Sequence, residues 1–386
     1  MRALTPLTEE QRAIQTVARE FAAEHIAPFS DQWDREQYFE QSLVGKLGEL
    51  GFLGMMIPEQ YDGMGLDTLT YLVALEEIAI VDASVAVMLS VHNSLPTQML
   101  LKWGTEDQKE RFLKPLARGE KLGAFALSEP EAGSDAASLR TQAVRDGKDW
   151  ILNGTKAWVS SGTKGDVILA MARTDSPDDR RGARGISTFI VTPDLPGFHV
   201  GKKEDKMGLR ASPTVQLRFE DLRVPGDRLL GEPGNGFIYA MQSLDNGRLG
   251  IAAQAIGIAE AALRHSIAYA AERKQFGKPI KEFQAIQFKL ADMAARISAA
   301  RALLHMSAVA KDRGEPITQF GSMAKLLASE TAMWVTTQAV QIFGGYGYVK
   351  DYPVERLFRD AKVTEIYEGT SEVQRIVIAR ELYSHT

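Results

Sequence analysis

Apolar positions change period twice along the 386-residue chain. Up to about Glu120 they recur at helical spacing. In LTEEQRAIQTVAREFAAEHIAPF, Thr8 stands as an N-cap and Ile14, Val17, Ala18 and Phe21 fall on one face. Pro28 ends that run or lies just past its end. Further helices are predicted around Ser42 to Leu50, Thr68 to Ile80 and Glu106 to Ala117, separated by Gly, Pro and Asp.

From about Lys121 to Pro233 the period shortens. TQAVRDGKDWILNG reads as two short runs joined by a Gly-containing turn, and TVQLRFEDLRV alternates Val215, Leu217 and Phe219 with polar neighbours, as a half-buried strand does. DVILAMART and GISTFIVT are further β-like runs, whereas Thr174 to Gly185 reads as an exposed loop. After Gly236 long helical patterns return. They run from Phe237 to Glu272, from Gln284 to Asp312 (stopped by Gly314 and Pro316) and from Ile317 to Phe343 (stopped by Gly344-Gly345). Three or four long helices of similar length imply an antiparallel bundle. The predicted architecture is multidomain α+β: an N-terminal α-helical domain over 1–120, a middle antiparallel β domain over 121–233 and a C-terminal helical bundle over 234–386.

The length exceeds what one hydrophobic core supports, in keeping with that division. Lys plus Arg total 45 against 50 for Asp plus Glu, a formal net charge of -5, which argues against a general nucleic-acid binder. With no cysteine, disulfides, thiolate metal sites and a cysteine nucleophile are excluded, and a reducing cytoplasm is the easiest setting. The first residues lack an apolar signal core and no apolar run reaches membrane-spanning length, so a soluble cytoplasmic protein is expected. G-x-G-x-x-G after a strand, G-x-x-x-x-G-K-[ST], H-E-x-x-H and G-x-S-x-G are all missing, and no metal site is expected.

Five stretches carry candidate chemistry, each with a plainer alternative. FALSEPEAGSD, Phe125 to Asp135, offers hydroxyls and backbone N–H groups that suit a heteroaromatic edge or a phosphate, or is a polar turn. KAWVSSG places Trp158 as core or as one wall of a flat pocket. ERKQFGKPI closes the longest helix with Arg273 and Lys274, which suit a pyrophosphate or merely the helix dipole. The glycines of QIFGGYGYVKDYPVER end a helix. In KVTEIYEGTSEVQR, Ser371 to Gln374 fit a capping box, and Glu368 reads locally as a solvated loop carboxylate.

Taken in order, SEPEAGSD, W-x-S, LDNGRLGIAAQAIGIAE, ERKQFGKPI, QIFGGYGY and IYEGTSEVQR resemble the acyl-CoA dehydrogenase flavoprotein family over nearly the whole chain. That resemblance implies a helical domain, a middle β-barrel and a C-terminal four-helix bundle, with FAD between the last two in a homotetramer. It implies that Phe125, Leu127, Ser128, Gly133 and Ser134 meet the flavin or the substrate. Trp158, Val159 and Ser160 would cover another side of the ring. Arg273, Phe276 and Gln284 would contact the dinucleotide, with Gln341, Ile342, Gly344 and Gly345 reaching FAD from a partner subunit. Thr370, Ser371 and Glu372 would close the cofactor side of the catalytic loop, and Asp245 and Arg248 would lie near the nucleotide portion of CoA.

The same resemblance makes Glu368 the base that removes the α-proton of an acyl-CoA thioester while a hydride leaves the β-carbon for flavin N5. Trans-2-enoyl-CoA is the product and electron-transfer flavoprotein the acceptor. A free carboxylate is too weak a base near neutrality, so desolvation against Tyr367 and the substrate must raise it. Gly369 would allow close approach. Some relatives carry the base at a position matching Gly247, where glycine cannot serve. Glu365 and Glu372 are weaker candidates. Two departures stand out: Glu131 replaces a common glycine, and Val159-Ser160 replaces Ile-Thr. LDNGRLGIAAQAIGIAE and KMGLRASPT look most like short-chain or short branched-chain members. An acyl-CoA oxidase, or a non-catalytic relative of the same fold, is the competing reading.

Overall fold

The structure, a computed structural model, describes residues 5–176 and 182–384. The helical N-terminal part contains α1 (Glu9–Phe21), α2 (Ser30–Glu36), α3 (Ser42–Glu49), α4 (Thr68–Val81), α5 (Ala83–Ser94) and α6 (Pro96–Trp103). Two short helices, α7 (Glu106–Gln108) and α8 (Lys114–Ala117), flank a π-turn at Lys109–Leu113. Thr8 caps α1 in a full capping box with Gln11. The buried face of α1 is Gln11, Ala18 and Phe21; Val17, expected on that face, is exposed. The helices α5 and α6 were not anticipated.

Strands follow: β1 (Gly123–Ala126), β2 (Gln142–Asp146), β3 (Asp149–Ser160), β4 (Val167–Arg173), β5 (Ile186–Val191), β6 (Phe198–Lys203), β7 (Thr214–Val224) and β8 (Leu229–Leu230). They form one sheet in the order β6-β7-β3-β2-β4-β5-β8, with β1 alongside β4. Most pairs are antiparallel as expected, but β1 and β2 both run parallel to β4. The connection from β1 to β2, residues 127–141, carries most of the FALSEPEAGSD segment. The supposed exposed loop at Thr174 to Gly185 falls partly outside the described residues, at 177–181. Its described ends are anchored: Arg173 Nε lies 3.0 Å from Asp175 Oδ1, both side chains buried.

The C-terminal part is built on α9 (Gly236–Glu272), α10 (Gln284–Asp312) and α11 (Thr318–Phe343). Between α9 and α10 a small hairpin pairs β9 (Lys274–Gln275) with β10 (Lys278–Pro279). The shorter α12 (Val354–Thr364) and α13 (Ser371–Ser384) pack on α11. The fourth bundle helix is thus about half the expected length. Along α9, Gly247 to Leu263 is buried on every side, because α4 and α5 cover the face that α10 and α11 leave open. That arrangement sandwiches the middle of α9, where the candidate site lies. No described helix is long and apolar enough to cross a membrane.

Candidate active site

Glu368 sits in the turn between α12 and α13 with φ of 51°, a left-handed conformation that side-chain-bearing residues rarely adopt. The turn folds back on itself: Tyr367 N donates to Val363 O at 3.1 Å and Ser371 N to Glu365 O at 2.9 Å. Its carbonyls are clamped. Gln374 Nε2 donates to Glu368 O at 3.1 Å and to Gly369 O at 2.9 Å, and Lys325 Nζ donates to Gly369 O at 2.7 Å. The capping box expected at Ser371 is not made. Thr370 Oγ1 accepts from Val373 N at 3.3 Å, so Thr370 is the cap. Gln374 is spent on the loop carbonyls, and Ser371 Oγ is buried without a partner among the described residues.

The turn drives the Glu368 carboxylate inward, where both oxygens are buried and neither has a hydrogen-bond partner among the described residues. Burial raises its pKa to about 7, against the pull of Lys325 and Arg248. The other two acids of the stretch are placed differently: Glu365 is paired with Lys362 at 2.6 Å and Glu372 is exposed.

One face of α9 meets the carboxylate. A Cβ built on Gly247 would lie 2.0 Å from Glu368 Oε2, so only glycine fits there. One turn on, a Cβ on Gly250 would meet Ser90 Oγ at 2.3 Å and Tyr71 Oη at 3.3 Å. One further turn brings Gln254, fully buried, its Nε2 bonded to Ala83 O at 2.6 Å and its Oε1 accepting from the Tyr367 hydroxyl. Arg248 is buried, with Nη1 2.5 Å from Asp245 Oδ1, and Asp245 Oδ2 accepts from Thr318 at 2.8 Å. Arg248 also acts electrostatically on Glu368.

The β domain presents a second surface. Leu127 is buried in the core, while Ser128 and Phe125 are half-exposed and Gly133 and Ser134 are exposed. A tight turn links Glu129 and Ala132 through N–H···O bonds of 3.0 and 3.1 Å, leaving Glu131 in solvent beside Arg140. The loop is pinned from beneath by a buried ion pair, Lys156 Nζ to Glu129 Oε1 at 2.7 Å, with the same ammonium on Leu127 O at 3.2 Å. Two residues along β3, the register against β7 slips between Lys156 and Val159. This bulge throws Trp158 outward, 62 % exposed with φ of 61°. Val159 packs its side chain into the β core, so only its backbone can face a ligand. Ser160 is half-exposed.

A third surface is a cleft of about 730 Å³ lined by Arg273, Ile342, Gly344 and Gly345 together with Tyr269 and Tyr346. The Arg273 guanidinium lies 5.4 Å from the centre of the Tyr346 ring. Arg273 and the glycine segment therefore line one and the same cleft of this chain. Phe276 projects at the hairpin, 94 % exposed; Gln284 and Gln341 are exposed and outside the cleft lining.

Residues 8–120, 124–222 and 234–383 match the family models for the N-terminal, middle and C-terminal domains of acyl-CoA dehydrogenase. The chain belongs to the acyl-CoA dehydrogenase family. The short-chain specific acyl-CoA dehydrogenase of Bos taurus mitochondria is 50% identical over 376 residues, covering 97% of this dehydrogenase and 90% of the bovine chain. An acyl-CoA dehydrogenase of Bacillus subtilis is 49% identical over 380 residues, 98% and 100% of the two chains. Among solved structures, butyryl-CoA dehydrogenase from Megasphaera elsdenii superposes with a TM-score of 0.96 at 46% identity, covering 98% and 99%. A chain from work on the electron-transferring flavoprotein of Acidaminococcus fermentans matches equally well, with TM-score 0.96, 48% identity and 98% of each chain. A glutaryl-CoA dehydrogenase from Mycobacterium smegmatis, in complex with FADH2, matches with TM-score 0.92 at 32% identity, covering 98% and 95%.

The dehydrogenase is thus a FAD-dependent enzyme acting on acyl-CoA, of the short-chain type. Its surfaces fit that cofactor. Trp158 is an exposed indole held out by a strained backbone, and the Ser128–Ser134 loop and Arg273 supply neutral and cationic donors. The sequence reading passed over Lys325, Gln254 and Tyr71, and gave Gln374 only a capping role. Lys325 alone left a trace: a lysine on an otherwise small, buried face of α11 with Gly321, Ala324 and Ala328.

Proposed function

We propose that Glu368 abstracts the α-proton of a short-chain acyl-CoA thioester, giving a trans-2-enoyl-CoA. The observation that carries this is the buried, unbonded carboxylate with a pKa lifted to about 7. A base is most effective when its pKa lies near the working pH and its lone pair is free. Hydrogen bonds to the carboxylate would hold the pKa down and occupy that lone pair. Here Lys325 and Gln374 hold the loop through the carbonyls of Glu368 and Gly369, so the position of the base is set without consuming its reactive oxygens. FAD, when bound, supplies the acceptor that takes the hydride and its electron pair from the β-carbon. The proton goes to Glu368 and the new C=C bond closes the balance.

Chain-length preference follows from α9. Gly247, Gly250 and Gln254 lie on one helical face at i, i+3 and i+7. The two glycines bring the Glu368 carboxylate and the Ser90 and Tyr71 hydroxyls close against α9, and Gln254, locked between Ala83 and Tyr367, bounds that site one turn further on. An acyl chain pushing past it would break two buried hydrogen bonds. We assign Phe125, Ser128, Gly133, Ser134, Trp158 and Ser160 to the flavin side and Arg273 with Gly344 and Gly345 to the dinucleotide. Electron-transfer flavoprotein as acceptor and a homotetramer in the cytoplasm complete the proposal.

The test is anaerobic mixing of the flavin-loaded enzyme with saturated acyl-CoAs from butyryl to palmitoyl, straight and branched. Bleaching fastest with four- to six-carbon chains supports the reading. Bleaching by none of them rejects it.

A further inference from the structure

Lys325 is a fully buried lysine on α11, and its position is not explained by packing alone. A buried ammonium is costly unless paired and hydrogen-bonded. Among the described residues its bond is to Gly369 O, at 2.7 Å, and no carboxylate lies within ion-pair distance. The nearby Arg248 is different, because its charge is met by Asp245 at 2.5 Å. Lys325 is therefore the cation at this site whose charge is left for Glu368, and each group acts electrostatically on the other. The other ionisable groups that face the pair are Glu365 and Glu372 on the turn and on α13, with Tyr71 on α4 and Tyr367 bordering the carboxylate.

We propose that Lys325 is the positioning residue of the site: its ammonium fixes the Gly369 carbonyl, and its uncompensated charge keeps the adjacent Glu368 ionised enough to accept a proton. The proposal rests on the reading of Glu368 as the base. Two opposed demands meet at that carboxylate. Complete desolvation would leave it protonated at neutral pH and useless as a base, whereas a direct ion pair would make it too weak. A lysine one residue away, bonded to the backbone, meets both demands. Burial lowers the pKa of Lys325 itself to about 8, so it still carries charge at neutral pH. Gln374 supplies the internal contrast, since its amide holds the same carbonyl at 2.9 Å without any charge.

The experiment compares holoenzyme carrying Lys325→Met, Lys325→Gln or Gln374→Leu. Two pH-dependent signals are read: the rate of flavin bleaching by butyryl-CoA, and the protonated-carboxyl infrared band that is absent from Glu368→Gln. Loss of the lysine charge should move both midpoints up by about one pH unit, with bleaching slowed about 10-fold at pH 6 and recovering as the pH rises. Gln374→Leu should slow bleaching while leaving both midpoints at their wild-type pH. Should Lys325→Met not fold, Lys325→Gln, which keeps a donor for Gly369, carries the test. Unmoved midpoints in the lysine variants, or the same shift in Gln374→Leu, overturn the proposal. If Glu368→Gln bleaches normally, the assignment of the base fails instead, a distinct outcome.

Discussion

Gly247 and Glu368 occupy one shared volume: a Cβ on the glycine would stand 2.0 Å from Oε2 of the glutamate. The helix α9 and the α12–α13 turn thus offer one space that only one of them can fill with a side chain. In this chain the turn fills it. Gly247→Ala should therefore push the carboxylate away from its place without touching the cofactor surfaces. Flavin content should match wild type, while the rate of flavin bleaching falls about 100-fold, the usual cost of an ångström-scale displacement of a reacting group.

Glu368 also affects stability, with a definite sign. Its folded pKa of about 7 lies above the ordinary 4.5, so the folded protein retains a proton that the unfolded chain releases between those values. Its favourable contribution is complete below pH 4.5 and is lost as pH rises through 7. Glu368→Gln, neutral throughout, should match wild type near pH 5 and exceed it at pH 8 by on the order of 2–3 kcal/mol. Asp360, also raised to about 7 by burial, is present in both proteins and cancels from the difference. Denaturant midpoints of the two holoenzymes at the two pH values give the comparison.

The Lys156–Glu129 pair holds the loop assigned above to the flavin side. Glu129 also accepts from Arg140 N at 2.6 Å and Thr141 N at 2.9 Å, so the pair ties both ends of the loop to β3. Lys156→Met leaves a buried carboxylate without its cation, at a cost of about 3–5 kcal/mol. Flavin should dissociate faster on dilution, and adding Glu129→Gln should restore part of the retention.

Gln254 bounds the proposed acyl site one turn beyond Gly250. Gln254→Ala should raise kcat/KM for octanoyl-CoA relative to butyryl-CoA by about 10-fold or more, the scale on which pockets discriminate added methylenes. Butyryl-CoA itself should lose rate, because Tyr367 loses the acceptor of its hydroxyl. A steady-state comparison of the two substrates measures both effects.

Legibility in the sequence followed physical contrast. The helices α9, α10 and α11 could be read to within a residue or two because Gly and Pro punctuate them and their apolar content is sustained. By contrast, α5 is buried along its whole length, so no amphipathic stripe marks it. The parallel pairing of β1 with β4 joins segments about forty residues apart, which local alternation cannot report. Motif order singles out Glu368 as the candidate base, whereas Lys325, Gln254 and Tyr71 lie far from it in sequence and converge only through helix packing. At the α13 start, a Ser-x-x-Gln pattern pointed to the wrong cap: Thr370 precedes Ser371 with an equally suitable hydroxyl, and tertiary contacts drew Gln374 to the loop carbonyls.

The central claim is that one carboxylate, Glu368, takes the α-proton. Rapid anaerobic mixing of Glu368→Gln holoenzyme with butyryl-CoA tests it most directly. Glutamine has nearly the same shape and cannot accept the proton, so the flavin spectrum before mixing should match wild type and bleaching should slow by about 10³-fold or more. Bleaching within tenfold of the wild-type rate would contradict the account and place the base elsewhere.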